Sequence, residues 1–543
     1  MTSCSSRFFF YGLLLAVFVF EFLLFRTYVL QEVAPYYPQG VDQASYLKDA
    51  YVLYDSFIRQ GVWVGLFQLP SNAASTLFVP QAALLFVLTE ASRFNALLPN
   101  FFYFVAFQAI FVLAAKRLSH NIFIPLFALG LLLACRIPFK TMGGMADFRI
   151  DFIAFCLYGI CISCVLVSKV FIKRRWIMVA AVCAMLLILM RSVTAAYLGI
   201  LGVLLLLWFP WTSQASVRMK NLLLFGTLMT VMVLPFLWLK WDVLYEYYGV
   251  GHVLGGEKYI RAKELGTENI GDALIFYPRA LLLQLNGAIW GIAIILLGLV
   301  SYGKQTLASS SLQLKIQARR VYRTGYIFLI LSIIAPLIPL TLDMSKSSVA
   351  AGIMAPPVLW LLVWALMHFE AVCHKTRGLQ IFAIVVLMTG IAAQIHAFLF
   401  QPSSHKEKQE SAQITRMYDE IGDYAHKKQW PQIKLSLDRI CDYLLAGNQT
   451  VLYYERKKIL LEVALQRLGA PIFAVTKEEA LASLKNSNVV ILNQGNYQNE
   501  SPYPFDSTVA QLKPLLKEVA ERDFVRLNDY TFRDSVYRVY VRP

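Results

Sequence analysis

Apolar runs of roughly 20 residues, long enough to span about 30 Å of hydrocarbon, recur along the first 400 positions and alternate with short polar clusters. The first is "FFFYGLLLAVFVFEFLLFRTYVL", 8–30. Further runs lie at about 98–117, 119–137, 151–172, 176–190, 193–211, 219–240, 281–302, 324–342, 349–370 and 378–399, which gives about 11 crossings in all. One more apolar segment, "STLFVPQAALLFVLTEASRF" (75–94), reads as re-entrant or interfacial, and a missed crossing elsewhere widens the range to 11–13. Only helices or closed barrels satisfy a backbone in lipid, and runs of this length specify helices. Run 8–30 is too long for a removed signal peptide and lacks a small-residue cleavage site, so it reads as an anchor.

The pattern changes after Gln401. Polar segments with helical periodicity, "ESAQITRMYDEIGDYAHKKQ" and "TKEEALASLKN", alternate with strand-like "APIFAV", "NVVILNQ" and "DSVYRVYVRP". The chain therefore reads as a mainly α, polytopic membrane protein with a C-terminal soluble α/β domain. Residues 1–400 form the transmembrane module, and 401–543 form an extracytoplasmic domain large enough to bury its own core. Cys441 is the domain's one cysteine, so an internal disulfide is excluded there.

Composition agrees: 58% of residues are hydrophobic and 15% charged, against about 45–50% and 25% in soluble domains. The net charge of +16 changes the picture only through its placement. Basic residues cluster between apolar runs, which is a topology signal rather than a nucleic-acid footprint. Arg7, Lys116–Arg117, Lys173 to Arg175, Arg218 with Lys220, the group from Lys304 to Arg323, and Lys375 with Arg377 all read as cytoplasmic. The loops 31–97, 138–150 and 241–280, a shorter one near Asp343, and everything after Gln401 then lie outside. Cys156, Cys161 and Cys164 share one apolar run, where cysteine packs as a small hydrophobe. No paired ligand set suggests a structural zinc.

Polar chemistry gathers in the outer loops. Asp42 follows Gly40 and is placed to cap the helix "QASYLKDAYVLYDSFIRQ", with Tyr46, Lys48 and Asp49 behind it. Loop "PFKTMGGMADFRIDF" carries Asp147 and Asp151 at i,i+4 spacing, on one helix face, with Arg149 between them. Loop 241–280, read as flexible, offers Tyr247, Tyr248, His252, Lys258, Arg261, Lys263 and Arg279, cations and phenols that suit a phosphate at the membrane surface. Each also has a plainer reading: a helix cap, an anchoring Arg–Asp pair, a solvated loop. Glu21 is the main acid within a span. No P-loop, G-x-S-x-G, H-E-x-x-H or dinucleotide fingerprint is present.

This layout resembles the GT-C superfamily of membrane glycosyltransferases, which includes protein O-mannosyltransferases and lipid A aminoarabinose transferases. The family's acid in the first outer loop, with a tyrosine four residues on, matches Asp42 and Tyr46 in "DQASY". Its arginine near an aspartate before an apolar helix matches Arg149 and Asp151 in "RIDFIAF". The broken helix pair in "MLLILMRSVTAAYLGILGVLLL", with Arg191 at the break, is also similar. The His/Lys-Pro-Pro element often found after the first acid is absent, and Gln43 stands where the mannosyltransferase type has a second acid.

The resemblance implies an inverting transfer of a hexosyl or pentosyl unit from a polyprenyl-phosphate carrier to a lipid, glycan or protein acceptor. It also implies a bacterial inner membrane, with the C-terminal domain periplasmic. Asp42 and Asp151 are then the catalytic candidates, and Asp147, Arg149, Tyr247, His252, Lys258 and Arg261 are the donor-binding ones. No cofactor is implied, and a divalent cation is left open. An acceptor hydroxyl needs a carboxylate to take its proton, and a leaving phosphate needs fixed positive charge. A transporter or flippase for a lipid-linked glycan is the alternative. It would want charge along a mid-membrane path, as at Glu21, rather than an acid pair at one surface.

Overall fold

The computed structural model describes residues 3–543 apart from 39, 68–74, 76, 120, 140–141, 255–256, 287–288, 291, 294, 297–311, 374–375, 400–404, 439–442, 469–475, 496–503 and 533–534. At some further positions, among them His252 and Arg261, only the backbone is described. The helical part opens with α1 (Ser3–Tyr28), α2 (Val41–Gln60), α3 (Val62–Phe67), α4 (Phe78–Leu88) and α5 (Arg93–Leu118). It continues with α6 (Phe123–Ala134), α7 (Ile150–Val167), α8 (Arg174–Met190), α9 (Thr194–Trp208) and α10 (Ala215–Leu239). Then come α11 (Trp241–Leu244), α12 (Glu257–Glu264), α13 (Ile270–Leu285), α14 (Leu312–Leu342), α15 (Ala355–Cys373) and α16 (Thr376–Leu399).

The protein is an integral membrane protein built on these helices. Eight described helical stretches are long and apolar enough to cross a membrane by themselves. The expected runs near 119–137 and 176–190 fold as the shorter α6 and α8, of 12 and 17 residues. Segment 75–94 gives α4, 11 residues long. At 1.5 Å per residue α4 reaches only about 16 Å, too short to span. The expected run 281–302 lies partly outside the described residues.

Helix α7 is apolar all round, and all but one of its 18 residues are buried, which makes it the centre of the bundle. Trp360 on α15 donates its indole N–H to Ser163 on α7 (2.9 Å), and both side chains are buried. Glu21 on α1 accepts side-chain amide hydrogens from Gln108 on α5 (2.7 Å) and Gln394 on α16 (3.0 Å). This fully buried carboxyl joins three helices through hydrogen bonds, which is how a buried polar group is made tolerable in lipid.

The C-terminal part contains α17 (His405–Lys427), β1 (Ile433–Leu437), α18 (Ala446–Lys457), β2 (Val463–Arg467) and α19 (Lys477–Asn486), followed by β3 (Val489–Asn493), α20 (Pro504–Asp523), β4 (Val525–Phe532) and β5 (Ser535–Val541). The five-stranded sheet has the order β2-β1-β3-β5-β4. β1 pairs in parallel with β2 and β3, whereas β5 runs antiparallel to β3 and β4. Strand alternation sends Val489 and Ile491 to a core shared with α17 and α18, and Val490 and Leu492 to one shared with α19 and α20. Two covered faces suit the parallel half of the sheet. Thr476 caps α19 in a reciprocal capping box with Glu479. The expected strand "APIFAV" (470–475) and Cys441 lie outside the described residues.

This α/β part rests on α2. Gly447 of α18 meets the backbone of Ala44 so closely that a Cβ would stand 2.7 Å from its carbonyl oxygen. One turn pair further on, the Tyr51 hydroxyl donates to Glu455 (2.8 Å), and Tyr51 packs on Tyr454 with ring centroids 4.9 Å apart.

Candidate active site

Asp42 enters the site from the start of α2. The N-cap of that helix is Gly40, with a φ of 89°, and no side chain caps it. The expected capping role of Asp42 is therefore not realised. Asp42 sits inside the first turn, where a carboxylate suits the helix dipole, and its side chain is 62% exposed. Gly40 is needed for two reasons: its positive φ, and a guanidinium nitrogen of Arg149 that would lie 2.6 Å from any Cβ there.

Arg149 reaches in from the residue before α7. Its guanidinium pairs with Asp42 (3.6 Å) and with Asp147 (3.3 Å). Asp147 and Asp151 do not share a helix face as their spacing suggested, because α7 begins only at Ile150. Asp147 instead lies in the preceding turn, where its carboxylate accepts the Gly143 N–H (2.6 Å) and its carbonyl accepts from Asn100 of α5 (2.8 Å). Burial pushes the Asp147 carboxyl up to about 7; Arg149 and the Gly143 N–H pull against this, and Asp151 and Asp42 add to it.

Asp151, in the first turn of α7, is ion-paired with Arg191. Arg191 stands in the break between α8 and α9 that the sequence indicated. Thr194 holds the break by donating its hydroxyl to the Arg191 carbonyl (2.7 Å). Three tyrosines, Tyr197, Tyr248 and Tyr46, lie within electrostatic range of this guanidinium. Tyr46 is buried against Phe78 of α4, with ring centroids 5.4 Å apart, and Phe78 packs on Phe148 at 4.3 Å. Burial holds the Tyr46 phenol well above its usual range, and Asp42, Tyr247, Asp151 and Tyr248 reinforce it. The two catalytic candidates, on separate segments, thus lie within electrostatic range of a common phenol.

The described residues of loop 241–280 are largely helical. They fold as α11, a π-helical run Tyr245–Leu254, α12 and the start of α13. Tyr247 and Tyr248 meet edge to face at 4.9 Å and join the cluster. Lys258 lies further along, its ammonium 5.0 Å from the Tyr259 ring centroid. The side chains of His252 and Arg261 lie outside the described residues.

Lys346 is a cation that the sequence reading did not single out. It is buried between α14 and α15, donating to the carbonyls of Leu340 (2.9 Å) and Thr341 (2.6 Å), with its ammonium 5.3 Å from the Tyr277 ring centroid. Tyr277 in turn lies within electrostatic range of Tyr197, Asp343 and Arg191. Burial lowers the Lys346 pKa, and Asp343 opposes that. The site therefore gathers carboxylates, guanidiniums, an ammonium and phenols from six separate stretches of chain. Such a set can take a proton at an exposed acid and hold a multiply charged anion nearby. Among the described residues, no group of three or more His, Cys, Asp or Glu side chains is placed to hold a metal ion.

The architecture is similar to that of two solved proteins, a likeness of fold in line with the layout read from the sequence. ArnT from Cupriavidus metallidurans, solved apo and bound to undecaprenyl phosphate, matches at a TM-score of 0.55 and 13% identity over 99% of this chain and 98% of that one. The oligosaccharyltransferase of Archaeoglobus fulgidus, solved with a tethered acceptor peptide containing the NVT sequon, matches at 0.50 and 10% identity over 96% and 74%. At such identities the likeness is one of fold. No family model and no curated protein matches the sequence.

Proposed function

We propose that the chain is an inverting glycosyltransferase that moves a hexosyl or pentosyl unit from a polyprenyl-phosphate carrier to an acceptor on the outer face of a bacterial inner membrane. The observation that carries this reading is the exposed Asp42 carboxylate beside Arg149, next to the Asp151–Arg191 pair. The shared fold with an enzyme solved with undecaprenyl phosphate adds to it.

In this reading the acceptor oxygen attacks the anomeric carbon while Asp42 takes its proton, and the bond to the carrier phosphate breaks on the opposite side. Arg149 and Arg191 supply fixed positive charge for that phosphate, oriented by Asp147 and Asp151 respectively. Asp151 thus acts through Arg191. Tyr247 and Lys258 then serve the donor sugar and lipid, and His252 and Arg261 are further donor-binding candidates by their place in the sequence. Residues 1–400 form the catalytic module and 401–543 an extracytoplasmic domain, with the basic clusters on the cytoplasmic side.

The test is turnover by the full chain in proteoliposomes given an undecaprenyl-phosphate-linked hexose or pentose and a cell-envelope acceptor fraction. Acceptor-dependent release of undecaprenyl phosphate supports the proposal. Movement of intact carrier across the bilayer without cleavage overturns it in favour of a transporter.

A further inference from the structure

Helix α5 links the carboxylate cluster to a second polar feature at the other end of the bundle. Asn100 holds the Asp147 carbonyl, and Lys116 follows sixteen residues later, about 24 Å along the helix. There a cavity of about 430 Å³ opens between α1, α5, α7 and α8. Its polar lining is dominated by donors: Lys116 and Arg117 from the last turn of α5, Trp176 from the first turn of α8, and the Tyr11 hydroxyl from α1. Among the described residues no carboxylate lines it.

Cations in the last turn of α5 complement its dipole, but that role alone would leave both side chains in water. Lys116 does otherwise. Its ammonium nitrogen is shut off from solvent, has no hydrogen-bond partner among the described residues, and lies 3.9 and 4.3 Å from the ring centroids of Phe10 and Tyr11. Arg117 lies 5.1 Å over the Trp176 ring. No side chain caps α8, so its first N–H groups add further donors at the same end. A buried ammonium without an acceptor calls for an anion. The remaining lining is mostly apolar, including Ile110, Leu113 and Val167, with Ser163 as its one hydroxyl among the described residues.

We propose that this cavity binds the phosphate of an anionic phospholipid from the leaflet on the side of the basic clusters. Arg117 holds the phosphate oxygens, joined by the Lys116 ammonium once it turns from the Phe10 and Tyr11 rings into the cavity, and the acyl chains run along Ile110, Leu113 and Val167. Basic pockets between transmembrane helices on the cytoplasmic side take phospholipid headgroups by this chemistry. The site stands apart from the carboxylate cluster and does not depend on the reaction proposed there.

The test is thermal unfolding of the full chain in neutral detergent, titrated with dioctanoyl phosphatidylglycerol, dioctanoyl phosphatidylcholine or sodium phosphate. Phosphatidylglycerol is expected to raise the melting midpoint at concentrations at least about tenfold below phosphatidylcholine, the effect of one or two charge-assisted hydrogen bonds. Lys116→Gln/Arg117→Gln should abolish that preference. Should the double variant fail to fold, Arg117→Gln at the exposed helix end decides, and it should weaken the preference several-fold. Equal response to both lipids, or a preference kept in the variants, overturns the proposal. So does an equal shift with sodium phosphate, which would make the cavity a free-anion site.

Discussion

Glu455, in the C-terminal α/β part, forms a two-point ion pair with Arg93 at the start of α5, at 3.1 and 2.6 Å. The remaining guanidinium nitrogen of Arg93 donates to the carbonyls of Val33 (3.0 Å) and Tyr36, in the segment that leads to Gly40 and Asp42. One buried arginine therefore fixes the α/β part and the approach to Asp42 together. Glu455→Ala leaves that arginine buried and unpaired, which costs about 3–5 kcal/mol. Its melting midpoint should fall clearly below wild type, whereas removing the exposed Lys458–Glu90 pair (3.0 Å) should change it little. Equal midpoints for the two variants would contradict this linkage.

Gly40→Ala probes the seat of Asp42. A methyl group there strains a positive-φ residue and meets the Arg149 guanidinium. The substitution should destabilise by about 1 kcal/mol or more and reduce transfer more than stability, because it parts Arg149 from Asp42. Steady-state transfer assayed beside thermal unfolding distinguishes the two effects.

Much of this was legible beforehand. Apolar runs announced most of the membrane helices, and acids at their boundaries announced Asp42, Asp147 and Asp151, because charge stands out against hydrocarbon. What stayed hidden was pairing: Asp151 with Arg191, forty positions apart, and Arg93 with Glu455, 362 apart, leave no local pattern. One signal was available. Arg93, Arg149, Arg191 and Lys346 are basic residues that stand apart from the clusters read as cytoplasmic by the charge rule. The capping reading of Asp42 failed because Gly40 starts the helix two residues earlier.

The Asp151–Arg191 pair should behave as a unit. If Arg191 holds the donor phosphate and Asp151 orients it, Arg191→Ala and Asp151→Asn should each lower transfer strongly. The double variant should then be little worse than Arg191→Ala alone. A double-mutant cycle on kcat/KM measures this coupling, and fully additive losses would separate the two residues.

Asp147 makes stability depend on pH. Its carboxyl titrates at about 7 in the folded protein against a usual 3.8. Between those values the folded state binds more protons than the unfolded state, so its contribution to stability is present at low pH and is lost as pH rises toward 7. Asp147→Asn should flatten that part of the melting-midpoint profile between pH 4 and 7. An unchanged slope would mean that Asp147 is not the group responsible.

The central claim is that Asp42 is the base. Its side chain caps nothing and is open to solvent, so Asp42→Asn should leave folding intact while removing the proton acceptor. The decisive measurement is transfer from an undecaprenyl-phosphate-linked sugar by Asp42→Asn protein, made beside its affinity for undecaprenyl phosphate. The account predicts a fall in kcat of about 10²–10⁴-fold with carrier binding kept near wild type. An Asp42→Asn protein that transfers sugar at a near wild-type rate would contradict it.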